Sequence, residues 1–240
     1  MKQKDVLDKY LQKFDLNEWA KADPLGLIMN KYSGADMEIA ALTIAAISWG
    51  NRKAIIKAGS KILAQMDFFK GPYAYVMEKK WEAIGDKDCI YRTLNGKVYK
   101  EYMKDLYYIY TCHKSIANYL YSWLECETVK SAIFALSYTV CRHLKIGSIT
   151  GSSPMKRLCM FFRWMVRDCE EWNTCWDKKD LYAILDVHVL KTARKLNLTN
   201  KRTVNWKTTE EITERLREMD ATDPLKYDFA MFLYDTNLKQ

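Results

Sequence analysis

Apolar residues recur at helical spacing through most of the chain. Val6, Leu7, Tyr10, Leu11 and Phe14 make one such stripe near the N-terminus. Residues 37–49 are apolar almost throughout, which predicts a buried helix capped by Asp36 and closed at Gly50, where a left-handed residue suits a helix end. A second helix over 52–66 follows with almost no connection, so the two form a tight helical hairpin. Pro72 can open the next helix at its first turn. Residues 85–96 carry the polarity and turn chemistry of a loop. Helices rich in Tyr and Trp are predicted over 98–122 and 129–144, and 147–154 is the most loop-like stretch of all. Over 156–167, Leu158, Phe161, Phe162, Met165 and Val166 fall on one side of a helix, while Lys156, Arg163 and Arg167 share the other. Thr208 to Glu211 reads as a capping box opening a helix over 212–219, and Asp223-Pro224 opens a last helix through Phe232. There is no internal repeat and no alternating strand pattern. The pattern predicts an all-α, bundle-like protein without coiled-coil heptads.

Composition narrows this further. The 240 residues are 49% hydrophobic and 13% aromatic, with only 9 Gly and 4 Pro, which disfavours a disordered or fibrous chain. The length allows one domain or two closely packed ones. A net charge of +8 favours a polyanionic partner, and the excess is concentrated: eleven Lys/Arg stand against six Asp/Glu between Lys156 and Arg202. Seven cysteines without a CxxC pair, behind a polar N-terminus, are expected to be reduced thiols of a cytoplasmic protein. The longest apolar run, 39–49, is too short to span a bilayer, so no membrane partner is expected. His113, His143 and His188 lie too far apart for a local metal motif, and no metal is expected.

The segment Tyr182-Ala-Ile-Leu-Asp-Val-His-Val-Leu190 delivers one carboxylate, Asp186, to the start of a basic amphipathic helix. Held against hydrophobic walls, such a carboxylate can stabilise positive charge developing on a substrate. Equally, it can be a plain N-cap that accepts a hydrogen bond from the helix it begins. Both readings stand on the sequence.

Three segments, in order, resemble the helix-hairpin-helix DNA glycosylase superfamily. Residues 37–54 are similar to the apolar helix that ends in a Leu-Ser-x-Gln type turn near DNA. Residues 151–163, from Gly151-Ser152-Ser153-Pro154-Met155-Lys156-Arg157 to Arg163, occupy the place of the glycine-rich hairpin followed by Lys-x-Ala. Residues 183–190 resemble the segment that bears the catalytic aspartate. The pairing of Lys-x-x-x-x-Phe-x-Arg with Ala-Ile-Leu-Asp-x-His is closest to the archaeal-type 8-oxoguanine glycosylase/lyases. Over most of its length the chain also resembles a bacterial family of unknown function that shares Arg-Trp-Met-Val-Arg and Asp-Pro-x-Lys-Tyr-Asp-Phe-Ala, here residues 163–167 and 223–230. Ser153-Pro154 stands where the superfamily has Gly-x-Gly. Lys156 and Asp186 are 30 positions apart, a longer separation than is common there, owing to a polar insert over 168–180. No cysteine follows Cys175, which excludes the C-terminal iron–sulfur cluster of some relatives.

The resemblance implies a two-domain helical protein with a DNA cleft. Residues 36–186 would form a central barrel-like domain with its hairpin near 147–167, and 1–35 would join 187–240. It further implies a monomer, without cofactor, that cleaves the N-glycosidic bond of a damaged purine flipped out of double-stranded DNA. Lys156 would attack C1′ and Asp186 would help the base depart; Lys156 needs desolvation or neighbouring cations such as Arg157 and Arg163 to lose its proton. Asn51, Arg52, Gly151, Ser152, Ser153, Arg157, Arg163, Arg167 and His188 would contact DNA. Base flipping calls for aromatic surfaces, to which Trp164 and Trp172 are near enough in sequence, although core positions suit both better. Two other classes remain open: a nucleic-acid-binding module that kept the fold without the chemistry, and a helical interaction protein that binds no nucleic acid.

Overall fold

A computed structural model describes residues 3–12, 15–147 and 153–237. The chain is mostly helical. In order come α1 (Gln3–Leu11), α2 (Leu16–Ala20), α3 (Gly34–Ile47), α4 (Arg52–Phe68), α5 (Pro72–Met77), a short hairpin of β1 (Cys89–Tyr91) and β2 (Leu94–Asn95), then α6 (Gly96–His113) and α7 (Ile116–Asn118). The second half holds α8 (Val129–Tyr138), α9 (Lys156–Arg163), α10 (Val187–Lys195), α11 (Trp206–Met219) and α12 (Lys226–Asn237). No helix among the described residues is long and apolar enough to cross a membrane.

Helix α3 is the axis of the fold. Every residue from Met37 to Ile47 is buried, which is why its sequence has no polar face. One continuous apolar core runs from Leu7 on α1 to Met231 on α12. Buried Glu38 ties four segments together: its carboxylate accepts hydrogen bonds from Tyr110 Oη at 2.6 Å, the Ile116 amide at 2.8 Å, the Ala117 amide at 3.2 Å and Trp172 Nε1 at 2.8 Å. Across the molecule, α1 packs on α12 through a Tyr10–Tyr234 edge contact and a Tyr227 Oη–Asp8 hydrogen bond of 3.2 Å.

Several sequence expectations need correction. Asp36 does not cap α3; Ser33 precedes that helix, and the Asp36 carboxylate reaches across to accept the Tyr73 amide of α5 at 2.6 Å. Residues 85–96 are not all loop, since β1 and β2 pair antiparallel within them. The helix expected over 98–122 stops at His113, because Lys114 turns left-handed (φ 68°) and Ser115 caps α7 as a new start. Asn205, not Thr208, caps α11. Phe14 lies outside the described residues.

Candidate functional site

Lys156 is the first residue of α9, and Asp186 is the N-cap of α10. Lys156 Nζ donates to Asp186 Oδ2 at 2.8 Å. The other carboxylate oxygen, Oδ1, accepts from the amides of His188 and Val189, both at 2.9 Å. Asp186 is thus an N-cap through one oxygen and the partner of a lysine through the other. Burial works against its charge, but the Lys156 ammonium and the α10 amides outweigh it and hold the carboxyl below the usual carboxylate range. The long insert does not prevent this meeting. Trp172 and Trp176 anchor it in an aromatic cluster with Phe161 and Phe162, with ring centroids 5.1–5.6 Å apart.

The pair borders a cavity of about 390 Å³ lined by both polar and aromatic groups. That volume lies in the range of small-ligand sites. Trp19, Trp49, Trp164, Phe229 and Phe232 contribute rings. The α3–α4 turn supplies one rim: Asn51 caps α4 by accepting the Ala54 amide at 3.2 Å, while Arg52 lies over the Phe232 ring at 5.1 Å and 3.8 Å from Asp23. Gly50 (φ 98°) lets this turn approach β1; Arg92 stacks on Trp49 at 4.2 Å, where a side chain on residue 50 would collide with its guanidinium. His188 is exposed and also lines the cavity, 3.6 Å from Asp235.

The arginines among the other expected contacts bond within the protein. Arg157 points to the protein's own backbone, donating to the Ala46 carbonyl at 2.6 Å and the Lys145 carbonyl at 2.8 Å. Arg163 is only 4% exposed; it donates to Asp168 at 2.9 Å and lies 3.7 Å from Asp228. Arg167 forks onto Asp223 at 2.8 and 2.9 Å and also reaches Asp168 at 2.9 Å. Carbonyls thus hold Arg157, and carboxylates hold Arg163. Ser153 Oγ accepts the Met155 amide at 3.1 Å, and Gly151 and Ser152 lie outside the described residues. Trp164 and Trp172 are both buried, and Trp164 also walls the cavity.

Asp228 was not singled out by the sequence. It too lines the cavity, accepts the Ile184 amide at 3.3 Å through Oδ2, and has no hydrogen-bond partner for Oδ1 among the described residues. The indole Nε1 of Trp164 is similarly unpartnered. Burial pushes the Asp228 carboxyl up to about 6, against the pull of Arg163. The signal was present, since Asp228 sits inside one of the two shared motifs. In space these motifs meet, with Arg163 4.1 Å over the Phe229 ring and Arg167 clamped to Asp223. A pH dependence follows. The folded value of about 6 exceeds the ordinary 3.8, so Asp228 adds stability that is full below 3.8 and lost as pH rises to about 6. Asp228→Asn is expected to gain in urea midpoint relative to wild type across that window. A constant difference there would show that this carboxyl does not titrate in it.

A mostly helical protein with a lysine–carboxylate pair at an aromatic cavity is the class that fold and site define. Residues 23–237 match a family described as protein of unknown function (DUF2400), and the chain belongs to that family. No curated protein and no solved structure matches it.

Proposed function

We propose that this protein is a DNA base-excision glycosylase with abasic-site lyase capacity, acting on a damaged purine such as 8-oxoguanine. The observation that carries this reading is the 2.8 Å contact between Lys156 Nζ and Asp186 Oδ2 beside a cavity walled by aromatic rings. On this reading the fold is helix-hairpin-helix glycosylase-like. Residues 36–186 form one part, 1–35 with 187–240 the other, and the substrate cleft lies between them. Both parts contribute to the cavity lining, which supports that division.

Lys156 gives one ammonium proton to Asp186, 2.8 Å away, and the free amine attacks C1′. The bond from C1′ to the base nitrogen breaks, and the base leaves with the bonding pair and takes up that proton. Asp186, 2.8 Å from the lysine, stabilises the cationic sugar as the bond lengthens. The C1′–O4′ bond then breaks, O4′ keeps the bonding pair and takes a proton from the nitrogen, and the iminium left between C1′ and Nζ is reduced by borohydride to a stable amine.

Borohydride trapping on duplexes carrying 8-oxoguanine or an abasic site tests this. Wild type is expected to give a covalent adduct, and Lys156→Gln none. No adduct on either duplex and no base release from the 8-oxoguanine duplex would reject the reading for these lesions. If DNA is still bound, the non-catalytic binding module takes its place. One observation favours that alternative: the Lys156–Asp186 bond also joins α9 to the start of α10, so it can serve structure alone.

A further inference from the structure

Helix α10 separates two different surfaces. Asp186, His188 and Val189 line the aromatic cavity, whereas Val187, Leu190, Lys191, Arg194 and Lys195 line a second groove, of about 530 Å³. At 100° per residue these sets fall on opposite sides of the helix. Arg202, from the segment after α10, closes the second groove over an apolar floor that includes Val204.

The charge of this groove is unbalanced. Residues 187–204 contain five Lys/Arg and no Asp or Glu. Lys201 is paired with Glu211 at 3.1 Å, outside the groove lining. The other four, Lys191, Arg194, Lys195 and Arg202, are exposed, and none has an ion pair or side-chain hydrogen bond among the described residues. Cations in the last turn of a helix favourably oppose its dipole, which accounts for Arg194 and Lys195. It does not account for Lys191 in mid-helix or for Arg202 beyond it. Lys191 and Arg194 are about 4.5 Å apart along the axis, and phosphates of one DNA strand rise about 3.4 Å each. From Lys191 to Lys195 the row covers about 6 Å of helix axis and Arg202 extends it from another segment, so the charge is spread along a groove, as a polyanion requires, and is not gathered at one point.

We infer that this groove is a second DNA contact, which holds the sugar–phosphate backbone through Lys191, Arg194, Lys195 and Arg202 and takes no part in the reaction. It rests on the DNA-binding half of the proposed function and not on its chemistry. Four exposed charges supply affinity and salt dependence, while the base is handled on the other side of α10.

The test is fluorescence anisotropy with an undamaged duplex over a range of salt. It compares wild type with a variant carrying Lys191→Gln, Arg194→Gln, Lys195→Gln and Arg202→Gln. Each phosphate that a protein neutralises steepens the fall of log K with log salt by about 0.9, so the variant's slope is expected to be shallower by about 2–4. The pair Lys191→Gln and Arg202→Gln, which leaves both last-turn cations in place, should flatten it by about half as much. Trapped adduct at saturating protein and low salt should be unchanged in both. Equal affinity and slope in wild type and variant would overturn the inference, as would a wild type that binds acidic phospholipid vesicles but no duplex. Duplex binding that depends on these residues without any trapped adduct would uphold it while removing the glycosylase chemistry.

Discussion

Replacing Asp186 by asparagine is expected to abolish base release while leaving the fold intact. Asparagine is as good an N-cap as aspartate, so the hydrogen bonds from the His188 and Val189 amides survive. What disappears is the negative charge beside Lys156. Loss of a group acting on developing charge or on a proton in the transition state costs about 10²–10⁴ in rate. Asp186→Ala should be as inactive and also less stable, by about 1 kcal/mol for the lost cap. Single-turnover base release and urea unfolding on both variants separate the two duties. An asparagine variant with wild-type rates would remove Asp186 from the chemistry and leave it as a cap. The pH sign is also defined. The folded carboxyl is held below 3.8, so its contribution to stability is present above 3.8 and lost as pH falls through the folded value. The asparagine variant should lack this acid-side loss.

The largest stability effect is expected at Asp168→Ala. The Asp168 side chain is fully buried, accepting Arg163 Nε and Arg167 Nη1 at 2.9 Å each. Its removal leaves two largely buried guanidinium groups with one fewer anion between them. Breaking a buried pair from one side costs about 3–5 kcal/mol, because the remaining charge is desolvated without compensation. For a chain of this size that is a fall of about 6–20 °C in melting temperature. Thermal unfolding by circular dichroism reads it directly. A change under about 2 °C would mean that Asp223 and Asp228 satisfy both arginines by themselves. Activity should fall as well, since Arg163 stacks on Phe229 in the cavity wall.

The helical character was legible because burial of a helix face leaves a period in the sequence, and α3, α4 and α9 fall close to where that period places them. The hairpin at 89–95 was not, because two strands this short carry too few alternating positions. The break at Lys114 was hidden for another reason. A left-handed lysine is a local cost tolerated where the new start at α7 places two amides on buried Glu38. Asp36 shows the same limit: a good cap residue serves a different helix.

At the site, residue types at Lys156 and Asp186 were readable, as was their standing at two helix starts. Their contact was not, since 30 positions of sequence are bridged only by the way Trp172 and Trp176 fold the insert onto Phe161 and Phe162. The roles of the arginines were likewise decided in three dimensions. Charge along a sequence does not say whether a guanidinium meets a phosphate or a carboxylate, and Asp168, Asp223 and Asp228 claim Arg163 and Arg167. Sequence alone determined a helical, basic chain with a lysine and an aspartate at two helix starts. Tertiary structure decided which charges face inward, because burial demands partners and only packing brings partners from distant segments within reach.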